Sequence, residues 1–125
     1  MPGSENPPLT VLVADDETEV LALIGEILES GGFSVVTARD GLEAYDLIAA
    51  DPGRFDVLLT DNRMPALCGI ELVERLSALP FKGRIVVFSG SLIHSEIESF
   101  LRLGAASILR KPASAQHIIQ AVRGF

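Results

Sequence analysis

"LLTDNRMP", residues 58–65, decides how the rest of the chain is read. With Val57 ahead of it, Leu58-Leu59 makes a short apolar run of the kind that forms a buried strand. The run ends at Thr60 and Asp61, and Met64-Pro65 follows as a turn signal. A carboxylate therefore stands where a buried strand comes to the surface. Either it caps a turn or a helix, or its charge is used chemically.

Working outward, short β-like runs alternate with longer helical patterns. Leu9 to Ala14 is a continuous apolar run and predicts a first buried parallel strand. Thr18 to Ser30 carries Val20, Leu23, Ile24, Ile27 and Leu28 at helical spacing, and Gly31 stands where a C′ glycine would stop the helix. Phe33 to Thr37 predicts a second strand. Asp40 opens an acidic variant of the capping box with Glu43 at N3, and Ala44, Leu47 and Ile48 form the inner face of the helix that follows. Asp51-Pro52-Gly53 breaks the chain before a third strand, Phe55 to Thr60. A third helix follows Gly69, with Ile70, Val73 and Leu76 on one face. Arg84 to Phe88 is the fourth strand. Ile93, Ile97, Phe100 and Leu101 predict a fourth amphipathic helix closed at Gly104. Ser107 to Leu109 is a short fifth strand, and Ser114 caps a last helix with Ile118 and Val122 inward.

A strand–helix unit run five times implies an α/β domain, a parallel sheet doubly wound with helices on both faces. The 125 residues suit a single domain with one core. Met1 to Pro8, rich in Pro and polar residues, reads as a disordered tail, and 9–125 as the folded domain. That tail has no basic or apolar segment of a secretory signal. No apolar stretch approaches the roughly 20 residues of a membrane helix. The net charge of −7 argues against direct nucleic-acid binding, which needs a clustered basic face. The single cysteine, Cys68, excludes an internal disulfide and fits a reducing, cytoplasmic setting.

In a doubly wound sheet, ligands bind outside the carboxyl ends of the strands. The first strand ends at Asp15-Asp16, the third at Asp61 and the fourth at Ser89; Lys111-Pro112 follows the fifth, and the second offers nothing. Each residue alone has an ordinary use. An acidic pair can begin a helix, Asp or Ser can cap a turn, and a lysine can be solvated. Ordinary uses would not gather all five residues on one edge. Carboxylates that crowd together repel, and a hard divalent cation such as Mg2+ relieves that repulsion through oxygen ligands. A cation there would also attract a phosphoryl group, with Lys111 as a second positive charge and Ser89 as a neutral donor.

These segments resemble a two-component response-regulator receiver domain, of the kind found in chemotaxis receivers. The likeness runs from Leu9 to Val122 and rests on "VLVADDETEV", "LLTDNRMPALCGIEL", "IVVFSGS" and "GAASILRKP". Asp61, Met64, Pro65 and Gly69 match the family's D-x-x-M-P-x-x-x-G segment. The resemblance implies a flavodoxin-like (βα)5 fold with strand order 2-1-3-4-5. It implies Asp61 as phosphoacceptor, Asp16 as direct Mg2+ ligand, Asp15 as a ligand through water, and the Arg63 backbone carbonyl as a further ligand together with Asp61. It makes Ser89 the switch hydroxyl, Lys111 the phosphate-pairing ammonium, and Pro112 the proline often preceded by a cis bond. It implies a histidine kinase or phosphotransfer protein as donor, and a downstream effector or output domain as reader. Self-association through the fourth helix, fifth strand and fifth helix is a further implication. Such a domain is not an enzyme, although it assists its own phosphoryl transfer and dephosphorylation.

Three departures from the family pattern matter. Ile108 occupies a switch position where receivers commonly carry a rotating aromatic ring, so switching here needs backbone movement or another side chain. Arg63 is large and charged and Ser91 is small, both beside the entry to the acceptor. Ala113 replaces a bulky apolar residue. A haloacid-dehalogenase-type phosphatase also uses an Asp nucleophile, but its general acid would fall at Arg63, which cannot donate a proton usefully. A receiver that docks without being phosphorylated is the other alternative. His94 and His117 read as solvated or packed, and Cys68 as inert.

Overall fold

The computed structural model describes residues 8–124. The expected tail therefore lies, apart from the exposed Pro8, outside the described residues, as does Phe125. The elements in chain order are β1 (Thr10–Ala14), α1 (Thr18–Ser30), β2 (Ser34–Ala38), α2 (Gly41–Ala50), a 3-10 turn (Pro52–Arg54), β3 (Val57–Thr60), α3 (Gly69–Leu76), β4 (Arg84–Ser89), α4 (His94–Arg102), β5 (Ser107–Arg110) and α5 (Ala115–Arg123). The five strands are parallel, in the order β2-β1-β3-β4-β5. β1 and β3 are buried on both faces apart from Thr10, and this is why they read as unbroken apolar runs.

The sheet divides the core. On one side Leu21, Ile24 and Leu28 of α1 and Ile118, Ala121 and Val122 of α5 pack on Val11, Val13, Leu59 and Phe88. On the other, Ala44 and Ile48 of α2 and Leu72 and Leu76 of α3 pack on Leu12, Ala14 and Leu58. A smaller cluster under α4 joins Phe100 and Ala105 to Val73 and Val87, with Ile108 packed against it.

Several helix faces differ from the sequence expectation. In α1 the inward residue of the first turn is Leu21, while Leu23 is 58% exposed. In α4 only Phe100 is buried; Ile93 and Leu101 are 60% and 55% exposed. Periodicity locates an apolar stripe, but a stripe wider than the contact leaves its margins in solvent.

The first helix ends at Ser30, as expected, but the left-handed stop falls at Gly32 and not at Gly31. Gly31 keeps a right-handed φ of −85°, and Gly32 takes the left-handed conformation at φ +93°. Phe33 N–H donates to the Leu28 carbonyl and Gly32 N–H to that of Glu29, the pattern of a Schellman stop. Gly31 instead lies close to α5, where a Cβ would meet the Ile119 side chain at 3.1 Å and Ile119 would have to give by a few tenths of an ångström. At α2, Asp40 Oδ1 accepts from the Glu43 N–H at 2.7 Å, as the capping box predicts, but Glu43 reaches back to the N–H of Arg39, not that of Asp40. Ser114 caps α5 through the His117 N–H. No helix among the described residues is long and apolar enough to cross a membrane.

Candidate phosphoacceptor site

The parallel order aims the ends of β1, β3, β4 and β5 at one edge of the sheet. Asp15, Asp16 and Asp61 each present a carboxylate oxygen there, all within 4.8 Å of one another. Asp15 and Asp61 are 2% and 7% exposed, whereas Asp16 faces solvent. Lys111 reaches in from the segment after β5. Its Nζ donates to Asp15 Oδ2 at 2.8 Å and to Asp61 Oδ2 at 3.1 Å, and lies 3.7 Å from Glu17 Oε1. Burial alone would lower the Lys111 pKa. The hydrogen bond to Asp15 and the charges of Asp61 and Asp15 outweigh that and hold it above the ordinary lysine value. One ammonium faces three carboxylates, so the site keeps a net negative charge that a cation would neutralise.

Local geometry sets the direction of each carboxylate. Asp15 Oδ1 accepts from the Glu17 N–H at 3.0 Å, at the start of α1, and its Oδ2 accepts from Lys111. Asp61 Oδ1 accepts from the Asn62 N–H at 2.7 Å. Gly69 explains part of the loop motif. A Cβ at that position would come within 2.5 Å of the Asp61 carbonyl and 2.9 Å of Asn62 Cα, so only glycine lets α3 begin against the acceptor's own backbone. The Gly69 N–H donates to the Asn62 carbonyl and closes the loop. Within it Met64 and Leu67 are buried, and Ala66 takes a left-handed φ of 70°.

The cleft above Asp61 has a volume of about 390 Å3, and Asp16, Ser89 and Lys111 open onto it. Ser89 is 2% exposed, and its Oγ has no hydrogen-bond partner among the described residues. A buried hydroxyl left unpaired costs stability, so an acceptor arriving in the cleft would meet a donor already desolvated. The Lys111-Pro112 peptide is cis, as the resemblance implies. The donor set suits Mg2+, because it is made of hard oxygens with one exposed acid and room for water.

Arg63 lines the cleft, and its guanidinium is held by the loop after β4. Its Nε donates to Ser91 Oγ at 2.8 Å, its Nη2 donates to the Ser91 carbonyl at 3.2 Å, and Nη2 lies 3.7 Å from Glu96 Oε1. Ile108 pairs in register with Val87, two residues before Ser89, and is half-buried against Phe100 and its neighbours. His94 and His117 are exposed and away from the cleft, and Cys68 is the half-buried residue ahead of α3. Sequence reasoning missed Asn62, Glu96 and Glu17. Asn62 is 3% exposed, and its side chain bridges the Ile70 N–H and Glu96. The available signal was a polar residue directly after the acceptor, in a loop expected to pack down.

A doubly wound parallel sheet with an acidic, lysine-bridged cleft at its carboxyl edge defines a phosphoryl-signalling α/β domain. Residues 11–123 match the response regulator receiver domain family, and the chain belongs to it. It is 35% identical over 108 residues to a response regulator receiver protein of Anaeromyxobacter sp. (strain Fw109-5), covering 86% of this chain and 44% of that one. The receiver domain of the putative response regulator NarL from Mycobacterium tuberculosis superposes with a TM-score of 0.87 at 29% identity, covering 95% of this chain and 96% of that one. The CheX-CheY-BeF3-Mg+2 complex from Borrelia burgdorferi contains a chain that matches at TM-score 0.88 and 25% identity, covering 94% of this chain and 88% of that one. The chain spans half or less of the length of the first curated response regulators it matches. This is a receiver domain of a two-component response regulator, a signalling domain. Receiver domains bind Mg2+ at an acidic pocket and interact with histidine kinases, phosphotransfer proteins and output domains.

Proposed function

We propose that Asp61 accepts a phosphoryl group from the phosphohistidine of a histidine kinase or phosphotransfer protein. The observation that carries this reading is the convergence of Asp15, Asp16 and Asp61 within 4.8 Å, with Lys111 bridging two of them. Asp16, Asp61 and the Arg63 carbonyl would hold Mg2+ directly, and Asp15 through water. The ion, when bound, neutralises charge on the carboxylates and the transferring phosphoryl group. Asp61 supplies the attacking oxygen. The new bond is O–P, the P–N bond to histidine breaks, and the nitrogen keeps the electron pair. Lys111 pairs with a phosphoryl oxygen where charge gathers in the transition state. The product is an acyl phosphate, whose hydrolysis the same residues assist.

Ser89 is the switch hydroxyl. Donation from its Oγ to the phosphoryl group draws the loop after β4 inward and changes the face made by α4, β5 and α5. Leu101 and Ile93 leave apolar surface on α4, which suits that face to an effector, an output domain or a second copy. The receiver domain is the segment 9–125, of which Phe125 lies outside the described residues, and a cytoplasmic setting fits its single free cysteine. The test is incubation with acetyl phosphate and Mg2+ followed by intact-mass measurement. One phosphoryl group should be gained, and on Asp61.

A further inference from the structure

A second set of contacts joins the acceptor to α4 without passing through Ser89 or Ile108. The Asn62 N–H donates to Asp61 Oδ1 at 2.7 Å. The buried Asn62 side chain accepts from the Ile70 N–H at 3.0 Å with Oδ1 and donates from Nδ2 to Glu96 Oε2 at 3.2 Å. Glu96 lies in the first turn of α4, and its Oε1 accepts from the Ile93 N–H at 2.9 Å. Arg63 closes the group, with Nη2 3.7 Å from Glu96 Oε1 and its guanidinium bonded to the hydroxyl and carbonyl of Ser91. The loops after β3 and β4 and the start of α4 are thus tied together at the mouth of the cleft. Arg63 and Lys111 are the two cationic side chains that line it.

We propose that Glu96 is a positioning residue: with Asn62 and Arg63 it latches the first turn of α4 and the loop after β4 in the arrangement of the unphosphorylated domain. The inference rests on Asp61 being the acceptor. A phosphoryl group there brings a charge of about −1.5 to −2 and oxygens that a guanidinium binds strongly. Arg63 cannot serve that group, Glu96 and Ser91 equally well. When the guanidinium turns to the new charge, Ser91 loses its partner, Glu96 keeps only Asn62 and its own helix cap, and the loop is free to bring Ser89 inward. The latch needs no aromatic ring, so it does not depend on one at position 108.

The test uses the whole chain, labelled with 15N, with beryllofluoride and Mg2+ as the probe. In Glu96→Gln, the α4 amides should move in the absence of beryllofluoride, partway along the direction that beryllofluoride produces in the parent. Half-saturation should need about fivefold less beryllofluoride, because a ligand and a latch that favour opposite states oppose each other reciprocally. Arg63→Met breaks the latch from its exposed end and should move the unliganded α4 amides in the same direction. If both variants change only the amides touching the replaced side chain, and Glu96→Gln saturates as the parent does, the latch is overturned. A parent whose cleft amides ignore beryllofluoride, and whose mass ignores acetyl phosphate, would overturn the acceptor reading and the latch with it.

Discussion

Two aspartates flank β3, and they do opposite things. Asp56, before the strand, is exposed, and its Oδ2 accepts from the Thr10 N–H at 2.8 Å. Its backbone N–H donates to the Thr10 carbonyl and its carbonyl accepts from Arg84. Among the described residues its hydrogen-bond partners are all backbone groups, so it ties the amino ends of β1, β3 and β4 together. Asp61, after the strand, is buried beside two other carboxylates and a shared ammonium. The same side chain is a staple at one end of the strand and a reactive group at the other. What separates them is whether the neighbours satisfy the charge or compete with it.

The sharpest way to break that contrast is to remove each charge in turn. Asp61→Asn should abolish phosphoryl incorporation from acetyl phosphate, and Asp56→Asn should leave it intact. A phosphoryl group still gained by the Asp61→Asn variant would show that the buried end is not the reactive one.

Next in size is Lys111→Met. Loss of the ammonium should slow incorporation on the order of 100-fold, the scale of a missing transition-state donor. The same variant tests the pairing by pH. The Lys111 pKa is raised in the folded state, so its stabilisation is fully present below the unfolded value of about 10.4 and is lost as pH rises through the higher folded value. In metal-free buffer, the stability gap between parent and variant in urea should be flat from about pH 7 to 9 and close in more alkaline solution. A gap that closed below pH 9 would mean that Lys111 is not held by Asp15 and Asp61.

Asp16→Ala should weaken Mg2+ binding about tenfold or more, followed by NMR titration. Unchanged affinity would remove Asp16 from the metal site. The smallest effect belongs to the other end of the strand. Asp56→Ala should lower the melting temperature by about 3 °C through one lost hydrogen bond, with phosphorylation unaltered. Any loss of incorporation in that variant would blur the contrast between the two ends.

Much of the site was legible because strand ends are local signals. Asp15, Asp16, Asp61, Ser89 and Lys111 each follow an apolar run, and the alternation of runs and helices implies that parallel strands deliver them to one edge. Asn62 and Glu96 were not legible in that way. They are 34 residues apart: Asn62 follows the acceptor but reads as an ordinary loop residue, and Glu96 lies within a helix. Glu17 carries no signal in the sequence that sets it apart from an ordinary acidic helix start, yet its carboxylate lies 3.7 Å from Lys111 Nζ.

The sequence by itself determined the order and type of the elements, since hydrophobic period, caps and glycines act over a few residues. It also determined which residues could carry the chemistry. Only the tertiary structure decided that Leu21 and not Leu23 turns inward, and that Ile93 and Leu101 remain in solvent. It alone decided that one lysine is shared between Asp15 and Asp61, and that α4 is tied to the loop beside the acceptor. Those outcomes depend on which surfaces meet when the helices close on the twisted sheet, and a local pattern specifies a stripe or a charge without specifying its partner.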